Sequence, residues 1–326
     1  MRIITCAVPM LAVMLAAASP AAAQRYTFQQ SFPVNADTTL DVTTDRGKVA
    51  IEATSANTVE VVGTVTVRMG WDTPVNAVAL AQQVAQRPPV QVDGAVVRLA
   101  DPADRDERRA VTVSYVVRLP ARLPVTVRSG SGAIRVRGVK APVSVTTQSS
   151  AIDVLSAGKV TLATGSGAVR VIGTEGDLTV DTQSSAIDAD GIRGAFRART
   201  GSGAVRAALV GDGGVDVETE SSAIDVRGAR GALAVHSNSG SVTLTGDPSA
   251  AWSVTTGSSS INVTVPSAAA MALHATSRSG GVEATGLATT TTRGPREVAG
   301  ALGQSGPEVR LDSRSGSIRL KVAEKS

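Results

Sequence analysis

The stretch 165-GSGAVRVIGTEGDLTVDTQSSAIDADG-191 states one phrase twice, as GSGAVR at Gly165–Arg170 and as SSAID at Ser184–Asp188. Reading outward, the phrase recurs as GSGAIR at Gly130–Arg135, SSAID at Ser149–Asp153, GSGAVR at Gly201–Arg206 and SSAID at Ser221–Asp225. Its apolar residue serves as an anchor: Ile134, Ile152, Val169, Ile187, Val205, Ile224, Val242 and Ile261, with Val282 and Ile318 as later members. Successive anchors lie 18, 17, 18, 18, 19, 18 and 19 residues apart, then 21 and 36. A period held this closely is the mark of a repeat architecture.

The columns of the alignment carry the fold. Nine residues before the anchors stand Val125, Val143, Val160, Leu178, Phe196, Val215, Leu233 and Trp252, and the positions seven before and two after are apolar as well. The residues between these columns are mostly polar. Alternation of period two marks a strand with one buried face. Two such strands per unit, each too short to stand alone, require every unit to stack on the next. The expected fold is therefore all-β: a right-handed parallel β-solenoid, or β-helix, with coils of about 18 residues.

The phrase supplies the corner between the two strands. Three residues before the anchor the chain always has serine: Ser131, Ser149, Ser166, Ser184, Ser202, Ser221, Ser239 and Ser258. Two before it the residue is always Gly or Ser. Glycine opens backbone conformations closed to other residues, and a serine hydroxyl can satisfy backbone groups at a bend.

The residue after the anchor alternates in sign: Arg135, Asp153, Arg170, Asp188, Arg206, Asp225. Its parity turns it to solvent. Stacking places the six in one file, each beside an opposite charge, so the true repeat is two coils. A slip by one coil would oppose like charges, which the apolar columns alone would tolerate.

Residues 1–23 read as a secretory leader: Arg2, an apolar run from Ile3 to Ala18, then Ala21-Ala22-Ala23 before Gln24. A transmembrane anchor is the competing reading, but the run is short and Pro9 interrupts it. The expectation is export with cleavage, to the periplasm, the outer surface or the medium. Cleavage would also remove Cys6, the single cysteine, and with it any disulfide or thiolate ligand. The net charge of +4 arises from 32 basic and 28 acidic residues, a mixed surface unlike the basic stripe of a nucleic-acid binder. Aromatics are 2% of the chain, so stacking platforms are scarce.

Residues 24–120 read as a β-rich cap on the open end of the solenoid, which would otherwise template further pairing. Within it, residues 38–69 form an imperfect first coil, with Leu40, Val42, Val49 and Ile51 in the apolar columns, and a long strand. One helix is expected near 73–87, capped by Asp72 or Thr73 and stopped at Pro88. Strands follow near Val90–Leu99 and Ala110–Leu119, with the charged loop DPADRDERR between them. The repeats occupy 121–326, interrupted near 287–307 by either an excursion from one coil or a flexible loop.

No catalytic, cofactor or metal residues are expected. His236 and His274 fall in outward columns of different coils without a cluster of acids. The GSG phrases lack the lysine and following helix of a phosphate loop. Polysaccharide cleavage needs paired carboxylates, whereas Asp153, Asp188 and Asp225 are each separated by an arginine coil.

Strands of the form T-x-S-(G/S)-x-(I/V)-x-(V/A), together with the opening LDVTTDRGKVAIEA, resemble the bacterial putative-adhesin β-strand-repeat family over roughly residues 38–323. That family has no known biochemical function and no established catalytic residues. The resemblance implies an exported, non-enzymatic β-solenoid with an adhesive or envelope role; the sequence names no partner, and the candidates are cell-surface or envelope components, glycan or protein. The alternative is a carbohydrate-active or carbohydrate-binding solenoid, expected to show a groove lined by acids or by Trp71, Trp252 or Tyr115.

Overall fold

A computed structural model describes residues 24–292 and 294–323. The leader over 1–23, with Cys6 and the expected cleavage site, lies outside the described residues. The chain divides into two compact units, Met1–Asp153 and Val154–Ser326.

The second unit is built from the coil read in the sequence. One strand precedes each corner and one follows it, as in Leu178–Thr182 and Ile187–Ile192. The strands before the corner stack in parallel with Leu178 on Phe196, Phe196 on Val215, Val215 on Leu233 and Leu233 on Trp252. The strands after it stack with Val169 on Ile187, Ile187 on Val205, Val205 on Ile224, Ile224 on Val242 and Val242 on Ile261. All these side chains are buried, Trp252 and Phe196 at 1% exposure among them. Equivalent letters thus form continuous apolar columns.

The corner is held mainly by residues two and five before the anchor. The exposed serines three before it contribute their backbone: the Ser202 amide donates to Gln183 O at 3.1 Å and the Ser221 amide to Gly201 O at 3.1 Å. Position two before the anchor is buried or half-buried, and alternates Gly and Ser for a steric reason. A Cβ on Gly203 would stand 1.7 Å from the Ser185 carbonyl oxygen, and one on Gly240 1.9 Å from that of Ser222. The glycine amide then needs an acceptor. In some coils it is the hydroxyl five before the anchor, as when Gly203 N–H donates to Thr200 Oγ1 at 3.1 Å. In others it is the serine of the next coil, as when Gly167 N–H donates to Ser185 Oγ at 2.6 Å.

The last repeats do not stack in chain order. Ile261 pairs with Ile318, and Ile318 pairs in turn with Val282. Trp252 likewise pairs with Val309, which pairs with Leu273. The C-terminal strands Glu308–Ser313 and Ile318–Ala323 therefore lie between the coils that precede them in sequence. This accounts for the doubled spacing of 36. The intervening chain is an ordered excursion: Glu297–Leu302 runs antiparallel to Met271–Ser277, and Thr289–Thr292 antiparallel to Glu297–Leu302.

The first unit shows the same device at its start. Val49 pairs with Ile134 on one side and Tyr115 on the other, so the first coil of the chain is the second in the stack. Outside it, Thr58–Val67 runs antiparallel to Val111–Pro120, and Arg25–Pro33 antiparallel to Thr58–Val67. The segment expected as one strand over 90–99 is an antiparallel pair, Val90–Asp93 and Val96–Leu99, because the chain reverses at Gly94 with φ of 59°.

The cap holds two helices rather than one. Ala77–Gln86 begins later than the expected Asp72 or Thr73; its cap residue is Asn76, which makes no side-chain capping bond. The stretch read as a charged loop contains the helix Arg105–Ala110. Asp104 Oδ1 accepts from the amides of Asp106 and Glu107 at 2.8 and 3.1 Å, and Arg108 and Arg109 occupy the last turn. Capping and charge placement of this kind stabilise a helix that has no apolar stripe.

Candidate functional site

The outward face of the strands after the corner carries the alternating charges. In the second unit Arg170 lies opposite Asp188, Asp188 opposite Arg206 and Arg206 opposite Asp225. Parallel pairing holds neighbours about 4.8 Å apart along the file. In the first unit one rung closes as an ion pair, Arg135 Nε to Asp153 Oδ2 at 3.1 Å. In the second, Asp225 takes a partner on its own strand instead: Arg227 Nε and Nη2 donate to its two oxygens at 3.2 and 2.7 Å. That bidentate contact raises the Arg227 pKa, through the hydrogen bond first and the adjacent negative charge second. Among the described residues, Arg170 and Arg206 form no ion pair within 4 Å and keep guanidinium donors free for another group.

A shallow depression of about 270 Å³ opens on this face. It forms because Ala208 is short where the facing residues on the flanking coils are Asp190 and Arg227. Arg170, Asp188, Arg206 and Asp225 make up the rest of its polar rim. The positions three after the anchor, Asp190 and Arg227, were missing from the sequence-based site. That column reads Arg137, Leu155, Ile172, Asp190, Ala208, Arg227 along the chain, with no regular alternation of charge to single them out.

A second charge file, on the strands before the corner, was also missed. Arg197 Nε meets Asp216 Oδ2 at 2.9 Å and Arg199 Nε meets Glu218 Oε2 at 3.2 Å. Its trace in the sequence is opposite charges one coil period apart.

The other residues singled out from sequence do not converge. His236 is exposed, and His274 is half-buried on the strand Met271–Ser277. Among the described residues no group of three His, Cys, Asp or Glu side chains could hold a metal ion. Trp252 is buried, its Nε1–H donating to Gly231 O at 3.0 Å, and Tyr115 is buried with its hydroxyl donating to Ala100 O at 2.5 Å. Burial pushes the Tyr115 pKa far up, so the phenol stays a neutral donor. Neither ring is available to stack on a sugar. Trp71 alone of the three is exposed, on the cap.

The repeat geometry meets the family record here: the model of the Toastrack DUF4097 family matches residues 112–321. The chain belongs to that family. Toastrack repeats thus cover both the coil stack of the second unit and the coils from Val125 onward in the first. Three solved structures are similar to the chain. A putative cell adhesion protein from Clostridium sporogenes ATCC 15579 is 10% identical, covering 97% of this chain and 100% of that one, with a TM-score of 0.20. A putative adhesin from Bacteroides fragilis NCTC 9343 is 13% identical, covering 91% and 97%, with a TM-score of 0.28. A putative adhesin from Parabacteroides distasonis ATCC 8503 is 9% identical, covering 90% and 96%, with a TM-score of 0.36. No curated protein matches the chain.

Proposed function

We propose that this Toastrack protein is an exported, non-enzymatic β-solenoid that works at the cell envelope by binding through the outward face of its coils, as an adhesin or scaffold. The observation that carries this reading is the file Arg170–Asp188–Arg206–Asp225 beside the Ala208 depression. Parallel ladders hold the backbone positions of these charges at fixed spacing, so no loop has to be ordered on binding. The free guanidinium groups of Arg170 and Arg206 suit the carboxylates of an acidic glycan or of a protein partner, which arginine can grip with two parallel hydrogen bonds. Catalysis by the same face is disfavoured by its layout. Asp188 and Asp225 stand two coils apart with Arg206 between them, and no nucleophile sits against a base.

The test is binding of the full chain to whole bacterial and host cells and to a glycan array, beside Arg170→Glu/Arg206→Glu. The expected result is saturable binding lost in the double variant while its thermal unfolding stays within a few degrees of the parent. Equal binding by both proteins, or none to any cell or glycan, would remove this face as the binding surface.

A further inference from the structure

The cap carries an apolar tip that the coil stack does not use. Between the strand Thr58–Val67 and the helix Ala77–Gln86, Met69 is 89% exposed, Trp71 99% and Val75 107%. Large apolar side chains left this open are rarely there for folding. The tip is nonetheless anchored. Arg68 N–H donates to Ala110 O at 2.8 Å, and Thr73 N–H closes a turn on Gly70 O at 3.2 Å.

Arg68, which precedes the tip, and Asp72, within it, both line a depression of about 360 Å³. Arg105, Arg108 and Arg109 line it too, which the spacing i, i+3, i+4 places on one face of the helix Arg105–Ala110. Asp106 and Glu107 of that helix are absent from the lining. Arg68 Nη1 donates to the carbonyls of Arg108 and Arg109, and Arg108 Nη1 to those of Pro102 and Ala103. Carbonyls orient a guanidinium without cancelling its charge. Arg105 and Arg109 form no ion pair among the described residues. The two acids on the far side are already engaged: Asp45 with Arg46 at 3.2 Å, and Asp101 with the Asp45 amide at 2.6 Å and the Thr44 hydroxyl at 3.1 Å. Hydrogen bonds leave the Asp101 charge in place beside Arg108, so four guanidinium groups face two carboxylates, Asp72 and Asp101, and positive charge is in excess.

We propose that this tip docks the protein on an anionic phospholipid surface, with Trp71, Met69 and Val75 entering the interfacial layer and Arg68, Arg105, Arg108 and Arg109 meeting the lipid phosphates. An indole with an apolar body and a polar N–H favours the membrane–water interface. Guanidinium forks bind phosphate oxygens. A protein partner fits less well: a stable interface takes about 800 Å² from each side, more than three projecting side chains supply. Lipid yields around a convex tip and needs no complementary pocket.

The molecule carries its own reporter. Trp252 is buried at 1% exposure, so a change in tryptophan emission on docking belongs to Trp71. The full chain is titrated with vesicles of phosphatidylcholine and with vesicles containing about one-third phosphatidylglycerol, reading emission and co-sedimentation at low and high salt. The expected result is a blue shift and sedimentation with the anionic vesicles, both weakened by salt. Trp71→Ala lowers the affinity at least about tenfold, and Arg105→Gln and Arg109→Gln lower it about fivefold each for anionic vesicles only. An unshifted emission with no sedimentation on anionic vesicles would overturn the proposal, as would Trp71→Ala binding as well as the parent. Retained vesicle binding with loss of cell binding in Arg170→Glu/Arg206→Glu would separate the two surfaces.

Discussion

At the scale of single residues, the corners turn on hydrogen bonds that differ between neighbouring coils. Thr200 and Thr182 hold the same position and are both buried, yet Thr200 Oγ1 accepts from Gly203 N–H while Thr182 Oγ1 has no partner. Replacing a bonded hydroxyl by a methyl costs stability, and replacing an orphaned one returns its desolvation cost. Thr200→Val is expected to lower unfolding stability by about 1 kcal/mol and Thr182→Val to raise it by a similar amount, read by chemical denaturation. The backbone contact at Gly203 makes a sharper case. Gly203→Ala forces a Cβ into the Ser185 carbonyl and is expected to cost about 3 kcal/mol, whereas Gly281→Ala meets nothing within 4 Å and should be close to neutral. The charge file contributes register more than energy. Asp188 lies between Arg170 and Arg206, so Asp188→Arg is expected to melt below Asp188→Ala, by about 0.2–1 kcal/mol in stability. Equal melting temperatures would show that the file has no part in coil matching.

At the scale of elements, the strands of the repeat were legible and the cap was less so, for a physical reason. Every coil repeats the same alternation, so columns such as Ile187, Val205 and Ile224 reinforce one another across the alignment. A single segment has no such averaging. The helix Arg105–Ala110 has no apolar periodicity and rests on Asp104, whose capping role reads as loop chemistry in a charged stretch. Asp104→Ala is therefore expected to cost about 1 kcal/mol and to lower helical signal without disturbing the coils. The reversal that splits 90–99 was legible in the sequence, since Asp93-Gly94 between alternating apolar residues is a hairpin turn signal that the reading of one strand passed over. In the charged site, the file after the anchors was readable because sign alternates at a fixed phase. Asp190 and Arg227 escaped because the depression depends on Ala208, a side chain that is short rather than charged. Arg68 and Trp71 could not be joined to Arg105 by sequence, since the contact is made through the backbone bond from Arg68 to Ala110.

At the scale of the molecule, both ends of the repeat series break chain order in the same way. In the first unit the strand Val49–Thr54 sits between Val111–Pro120 and Ile134–Arg137, and in the second Ile318–Ala323 sits between Ile261–Pro266 and Val282–Thr285. The outermost coil is then covered by antiparallel strands, on both sheets in the first unit and on one sheet in the second. This limits the open parallel edge that would let one copy stack on another. It also makes these pairings more distant in sequence than coil-on-coil stacking in chain order, and non-local pairing of this kind slows folding. The central claim is that pairing follows equivalent columns rather than order along the chain, and cross-linking tests it directly. In a Cys6→Ser background, Asn262→Cys/Arg319→Cys is predicted to form a disulfide on mild oxidation, because these residues face each other across adjacent strands. Asn262→Cys/Glu283→Cys is predicted to stay reduced, because Arg319 stands between them. The opposite outcome, with 262 joined to 283 and not to 319, would contradict the account.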